Sequence, residues 1–394
     1  MILNTYNPKI FILKNILITG GSGFIGSHIS LKLLNLGFNV RVLDNLSPQI
    51  HGDNPAITSP LYKSIKDKVH FIHGSVTSKI DIEKALIDQD AIIHLAAETG
   101  TGQSMYNIYK YSTVNIGGTS LILDILSNID HKIKKIVLAS SRAIYGEGKY
   151  RCDEHGLVYP CARKEFDMIN SDYECKCPIC EKQITMLATS EDSKIHPNSV
   201  YGITKQNQEQ LIMLMGIALN ISVVSFRYQN VYGPGQSLSN PYTGILSIFS
   251  SLMQNNKDVN IFEDGNESRD FVYIDDVTDI TIDGLLSEKF DYQVFNVGSG
   301  ISNSVISIAT QLKEKYNSDS KIIISGNFRV GDIRHNCADI SKLLMTSNTP
   351  PKIDFKIGID RFVNWVKDQP IEVLQYEKSL LELKKKSLLK IIVN

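Results

Sequence analysis

The chain has 394 residues, 42% hydrophobic and 21% charged, with a net charge of −1. That balance suits one large globular domain or two joined ones, and supplies no basic field to recruit nucleic acid or an anionic membrane. No apolar run of about eighteen residues exists to cross a bilayer, and six cysteines in so long a chain are no disulfide scaffold, so a reducing cytoplasm is expected.

The opening stretch MILNTYNPKIFILKNILITGG is interrupted by Lys9, Lys14 and Asn15 and runs straight into a glycine turn. It reads as a buried strand rather than a signal peptide. KNILITGGSGFIGSHISLKLLNLG is then strand, turn and helix, and FNVRVLD a second strand. KVHFIHG is a third strand, followed by the helix SKIDIEKALID. DAIIHLAA is a fourth, followed by the long helix SMYNIYKYSTVNIGGTSLILDILSN, and KKIVLASS a fifth. Strands alternating with helices predict an α/β fold, a doubly wound parallel Rossmann sheet. The boundaries expected are 1–225 for this domain, with an insertion at 147–196, and 226–370 for a smaller C-terminal substrate lobe with segments returning to the first domain. An amphipathic tail helix is expected over 371–394, with Leu374, Leu381 and Leu388 seven apart.

Gly20, Gly23 and Gly26 give GxxGxxG between the first strand and its helix. The first permits the tight turn, the second a close approach of backbone to a pyrophosphate, the third close packing of helix on strand. Helix-terminal N–H groups then face the phosphates. Asp44 ends the second strand, where an acid accepts hydrogen bonds from a ribose. Asn45 and Leu46 follow it and bring no cation for a 2′-phosphate, which favours NAD over NADP.

Ser141 closes the fifth strand, and Tyr201 and Lys205, four apart, share one helix face. A YxxxK pair alone is usually a solvated helix face. Behind a glycine turn and a strand ending in serine it becomes a proton-transfer set. A tyrosine ordinarily keeps its proton to pH ~10; a nearby ammonium and the nicotinamide charge stabilise the phenolate and bring exchange toward neutrality.

TGGSGFIGSH, HLAAETG, VNIGGT, SSRAIYG, YGITK, RYQNVYGPG and RDFVYIDDV occur in this order. In these motifs the chain resembles the extended short-chain dehydrogenases/reductases, the nucleotide-sugar epimerases and dehydratases, over nearly its whole length. HLAAETGTGQSMY and RYQNVYGPGQSLSNPYTGILSIF look most like the dTDP-L-rhamnose 4-epimerases of that family. The resemblance implies NAD contacts from Gly20, Gly23, Phe24, Ile25, Gly26, Asp44, Asn45, Ser75, Val76, Leu95, Ala96, Ala97 and Asn115, and from Tyr201 and Lys205. Ser75 stands where the family often has an aspartate that reaches the adenine. Catalysis would fall to Ser141, Tyr201 and Lys205. Ser141, Arg142, Asn230, Arg269 and Arg334 would meet the nucleotide-sugar substrate, the arginines because a planar fork matches phosphate. The family's dehydratases carry an Asp-Glu pair where this chain has Arg142 and Ala143, so epimerisation through a 4-keto sugar is expected rather than loss of water. A 4-ketoreductase, an epimerase of another nucleotide hexose and a dinucleotide-sensing scaffold are the alternatives. Relatives pair through the long helices after the fourth and fifth strands, so a homodimer is expected.

The stretch from Tyr145 to Tyr201 is much longer than in most relatives, and holds Cys152, Cys161, Cys175, Cys177 and Cys180. Cys177 and Cys180 form a CxxC turn able to share a Zn²⁺. Cys152 and Cys161 are the partners expected to complete a structural site, with Cys175 and His155 as alternatives. The segment is too polar to build its own core, and metal would supply the missing folding energy. A lid or wall near the sugar pocket is expected of it.

Overall fold

Strands that are apolar on both faces need cover on both faces, and the chain supplies it by alternation. The computed structural model describes residues 13–238, 240, 242, 244–370 and 376–392. The first strands are β1 (Asn15–Thr19), β2 (Asn39–Asp44), β3 (His70–His73), β4 (Ala91–His94) and β5 (Lys135–Ser141). Three short strands of the insertion follow, β6 (Tyr150–Cys152), β7 (Gly156–Val158) and β8 (Thr185–Met186), and then β9 (Ser222–Tyr228). A seven-stranded parallel sheet runs in the order Gln293–Val297, β9, β5, β4, β1, β2, β3.

Successive residues of each strand go to opposite faces. Ile16, Ile18, Val42, Ile93 and Val137 pack with Ile29 and Leu33 of the helix Phe24–Asn35, and with Val277 and Ile280 of the helix Ile274–Leu286. Leu17, Leu43, Ile92, Ile136 and Leu138 pack on the other side with Ile122 and Leu126 of the helix Gly118–Asn128, and with Ile212 of the helix Val200–Ala218. Chain order reverses between β1 and β4, and ligands of doubly wound sheets sit at the C-terminal strand ends beside that switch point. A second core, including Tyr232, Phe249, Phe271, Ile308 and Phe362, builds a lobe over those ends.

Several expectations shift. The boundary at 225 falls inside β9, while Gln293–Val297 is one of the segments that return to the central sheet. The long helix after β4 is broken: Thr101–Ser104 stands apart, and a π-helical turn at Ser112–Gly117 precedes the regular helix Gly118–Asn128. Among the described residues the tail helix covers Tyr376–Lys385. Ser387 takes φ 57° and Leu388 N–H returns to the Leu383 carbonyl, a left-handed helix end. Leu389–Lys390 then pairs antiparallel with Phe328–Arg329. Leu374 and residues 1–12 lie outside the described residues. No helix among the described residues is long and apolar enough to cross a membrane.

Candidate active site

The glycine turn is built by contacts that side chains would forbid. A Cβ on Gly20, whose φ is +71°, would lie 2.8 Å from Ala96 N, and one on Gly26 would lie 2.5 Å from Gly20 O. The turn therefore sits directly against the segment Leu95–Ala97 leaving β4. Asp44 secures it from the other side: Oδ2 accepts from Ser22 N–H at 2.9 Å and Oδ1 from Leu46 N–H at 2.9 Å. The helix Phe24–Asn35 starts at Gly23 with no side-chain cap. The Ser22 hydroxyl is fully buried and has no partner. Uncapped helix amides, an orphan hydroxyl and a glycine cradle fit the pyrophosphate of a dinucleotide. Asn45 is exposed just beyond Asp44. Ser75 donates its amide to Asp81 at 3.0 Å and its hydroxyl bonds Thr77 at 2.8 Å, while Val76 is buried against Gly118.

Ser141 is the last residue of β5, and its Oγ accepts from Ala143 N–H at 3.1 Å, starting a short 3-10 turn. Its side chain and the Tyr201 phenol line one cavity, where Ser141 opposes the rise of the phenol's pKa. Tyr201 lies in the first turn of the helix Val200–Ala218, capped by Ser199 Oγ accepting from Gly202 N–H at 3.1 Å. Ser104 Oγ accepts the Tyr201 amide at 3.0 Å, and the Tyr111 ring meets the Tyr201 ring edge to face. Asn115, in the π turn, exchanges bonds with the Glu98 backbone at 2.8 and 3.0 Å and donates to Thr204 Oγ1 at 2.9 Å. It thus ties the loop after β4 to the helix carrying Tyr201.

Lys205 lies one turn on, 3% exposed, and its ammonium donates to Gln208 Oε1 at 2.8 Å. Gln208 donates to Thr119 Oγ1 at 2.7 Å, and His94 lies between Thr119 and Thr19. Burial lowers Lys205 to about 7 and His94 to about 3, the second leaving a neutral imidazole. Burial raises Tyr201, opposed by Ser141 and by the Arg142 charge. This differs from the expectation that Lys205 depresses the phenol: in the protein alone, desolvation outweighs the charges near it.

Ser141, Arg142, Tyr201, Asn230 and Arg269 line one cavity of ≈ 280 Å³. Burial lowers Arg142 to about 10, with Arg269 adding to the effect. Arg269 donates to the carbonyls of Ser268, Ile333 and Arg334, and Asn230 Nδ2 to the Asp270 carbonyl at 2.9 Å. Arg334 is a correction. It is 1% exposed and does not line the cavity. Its N–H groups go to Glu174 at 2.5 and 2.9 Å, Asp264 at 2.7 and 2.8 Å and Glu263 at 3.0 Å, leaving no fork for phosphate.

The insertion also differs from expectation. It contributes no residue to the cavity lining and stands behind it. Cys161 is exposed and outside the thiol cluster, which consists of Cys152, His155, Cys177 and Cys180. The missed signal was Cys152-x-x-His155, a second short pair mirroring Cys177-x-x-Cys180. Sequence reasoning also passed over Ser22, Ser104 and Gln208, whose hydroxyls and amide carry no motif.

Comparisons with known proteins agree with this geometry. The profile of the NAD dependent epimerase/dehydratase family matches residues 16–169 and 179–298. A dTDP-L-rhamnose 4-epimerase of Burkholderia thailandensis is 36% identical over 367 residues, covering 92% of this chain and 98% of the relative. The structure of a Thermotoga maritima UDP-glucose 4-epimerase with UDP-glucose superposes with TM-score 0.73 at 28% identity, covering 90% of this chain and 98% of that one. A Bacillus cereus UDP-glucuronic acid 4-epimerase with UDP-glucuronic acid and NAD gives 0.72 at 26% identity, covering 90% and 99%. With the glycine cradle, the Ser141–Tyr201 pair and a profile match over most of its length, the chain belongs to the NAD-dependent epimerase/dehydratase family.

Proposed function

We propose that the chain is a 4-epimerase interconverting dTDP-L-rhamnose and dTDP-6-deoxy-L-talose. The observation that carries the reading is a single cavity lined by Ser141 and Tyr201 together with Arg142, Ala143 and Arg269. Bound NAD supplies a reversible hydride acceptor at the sugar C4. Tyr201 as phenolate takes the 4-hydroxyl proton, and Ser141 orients that hydroxyl. Lys205, charged, favours the phenolate. Arg142 and Arg269 grip the diphosphate, so the 4-keto sugar turns about its nucleotide end and presents its other face. Tyr201 then returns the proton. Eliminating water would need an acid and a base beside C5 and C6, and Arg142 and Ala143 supply neither.

The nucleotide and the sugar rest on the 36% identical relative. The UDP-sugars bound in the superposable structures favour a second reading, a UDP-hexose epimerase. A panel of dTDP- and UDP-sugars without added NAD(H), with products resolved by NMR, tests both. Conversion of dTDP-L-rhamnose in both directions is expected. Preference for a UDP-hexose, or turnover only of 4-keto sugars with added reductant, would replace the proposal.

The proposal includes a homodimer in a reducing cytoplasm. Ile203, Leu214 and Ile217 are 47, 65 and 67% exposed on the helix Val200–Ala218, an apolar stripe suited to a second copy. All six thiols are free. Sedimentation at micromolar concentration should show twice the chain mass.

A further inference from the structure

We propose that Cys152, His155, Cys177 and Cys180 hold one structural Zn²⁺, and that this metal-pinned hairpin positions the far wall of the cavity. Cys152 ends β6, His155 lies in the turn to β7, and Cys177 and Cys180 bracket a tight turn in which Glu181 N–H bonds the Cys177 carbonyl. Two short pairs, C-x2-H and C-x2-C, thus face each other. All four ligand atoms lie within 4.8 Å of one another. Cys152 Sγ is 3.5 Å from His155 Nδ1 and 3.7 Å from Cys180 Sγ, and Cys177 Sγ is 3.7 Å from His155 Nδ1. Zn–S bonds of about 2.3 Å and Zn–N bonds of about 2.0 Å at tetrahedral angles put sulfurs about 3.8 Å apart and sulfur and nitrogen about 3.5 Å apart. The three measured edges match that figure. The Cys152–Cys180 sulfur pair, at 3.7 Å, is also far beyond the roughly 2.0 Å of a disulfide. Three thiolates and an imidazole fill a tetrahedron, leaving no position for substrate, and soft ligands select zinc over magnesium or calcium.

The local fold needs such a pin. Its own core is Tyr150, Cys152, Val158, Cys175 and Cys177, of which two, Cys152 and Cys177, are ligands themselves. The family profile matches up to residue 169 and again from 179, leaving Cys177 and its stalk outside the match.

The stalk Tyr173–Cys175 carries the structural consequence. Glu174 holds Arg334 and bonds His335 at 3.2 Å. The Tyr173 carbonyl accepts from Arg163, which grips Glu263 in a fork at 2.7 and 2.8 Å and also reaches the Asp332 carbonyl. Glu263 and Asp332 line the cavity. The wall is therefore tied to the hairpin by charge-assisted bonds.

The test uses the full chain as purified under reducing conditions. Elemental analysis should give about one zinc per chain, and cobalt exchange should give the thiolate charge-transfer band and strong visible bands of a tetrahedral site. Cys161→Ser should keep the metal; Cys180→Ser and His155→Ala should lose most of it. X-ray absorption on the unmutated zinc protein should count three sulfurs and one nitrogen, which keeps the site testable if the variants do not fold. A metal-free protein with reduced thiols, loss of metal in Cys161→Ser, or a four-sulfur shell would overturn the site. The positioning role rests on the proposed epimerase reading and has its own readout: mild chelation should raise KM several-fold with kcat held. Unchanged KM in metal-stripped, folded protein would overturn that role and leave the metal result standing.

Discussion

The proton transfer proposed for Tyr201 is one that a phenylalanine of the same shape cannot perform. Tyr201→Phe keeps the ring packed against Tyr111 and leaves the glycine cradle untouched. Loss of general acid–base catalysis should lower kcat by about 10²–10⁴-fold, with NAD content of the purified protein unchanged. Full turnover would remove Tyr201 from the chemistry. Lys205 makes a second residue-scale prediction. Its folded value, about 7, lies below the 10.5 it has when unfolded. Above 10.5 the group is neutral in both states and costs nothing. As pH falls toward 7 the unfolded chain takes up the proton first, so stability from this group is lost across that window and stays lost below it. The urea midpoint of cofactor-stripped protein should therefore rise from pH 7.5 to 9.5, and Lys205→Met should flatten that rise. A slope identical in both proteins would deny the burial. The spacing of Tyr201 and Lys205 on one helix turn made them legible in sequence. Arg334 was legible only as an arginine in a motif, because the carboxylates that consume it, Glu174, Glu263 and Asp264, come from 160, 71 and 70 residues away. His155 was weighed only as an alternative for the opposite reason: a lone histidine near a cysteine carries little weight until the fold brings Cys177 to it.

Secondary-structure elements were read best where burial alone decides them. Continuous Ile, Leu and Val runs placed β1 to β5. The break in the helix after β4 was invisible, because periodicity continues across it and the π turn is set by a side chain bonding elsewhere. Asn115 is that side chain, with its oxygen on the Glu98 amide and its nitrogen on the Glu98 carbonyl and Thr204. Asn115→Ala should leave those buried groups unpaired and reduce unfolding free energy by about 1–3 kcal/mol. Thr204 also donates to the Tyr201 carbonyl, so the loss should reach kcat as well. Chemical denaturation and turnover on the same preparation check both. A variant as stable as the parent would mean that the π turn is held by packing alone.

At the scale of the whole molecule, the last described helix borders the cavity. Tyr376 lines the cavity, and Leu383 is 4% exposed with its methyl beside Gly102. Glu382 Oε2 accepts from the Tyr242 phenol at 2.9 Å, and the Tyr106 hydroxyl, 3.2 Å from the same oxygen, bonds the Tyr242 hydroxyl at 2.6 Å. Tyr242 lines the cavity too. Residues from the switch-point side, the substrate lobe and the tail therefore meet at one carboxylate. Burying Tyr376, Leu383 and Leu389 contributes about 1.5–3 kcal/mol each, so deleting the tail would confound closure with stability. Glu382→Leu separates them: the helix and its apolar contacts stay, and the phenol pair loses its acceptor. The expected result is a KM for the nucleotide sugar raised several-fold, kcat nearly unchanged and NAD retained, because Ser141, Tyr201 and the glycine turn do not touch Glu382. Steady-state kinetics with a thermal melt on the same protein decides it. An unchanged KM would make the tail a fastening of the fold alone, and a fall in kcat at fixed KM would place its influence on Tyr201 rather than on closure.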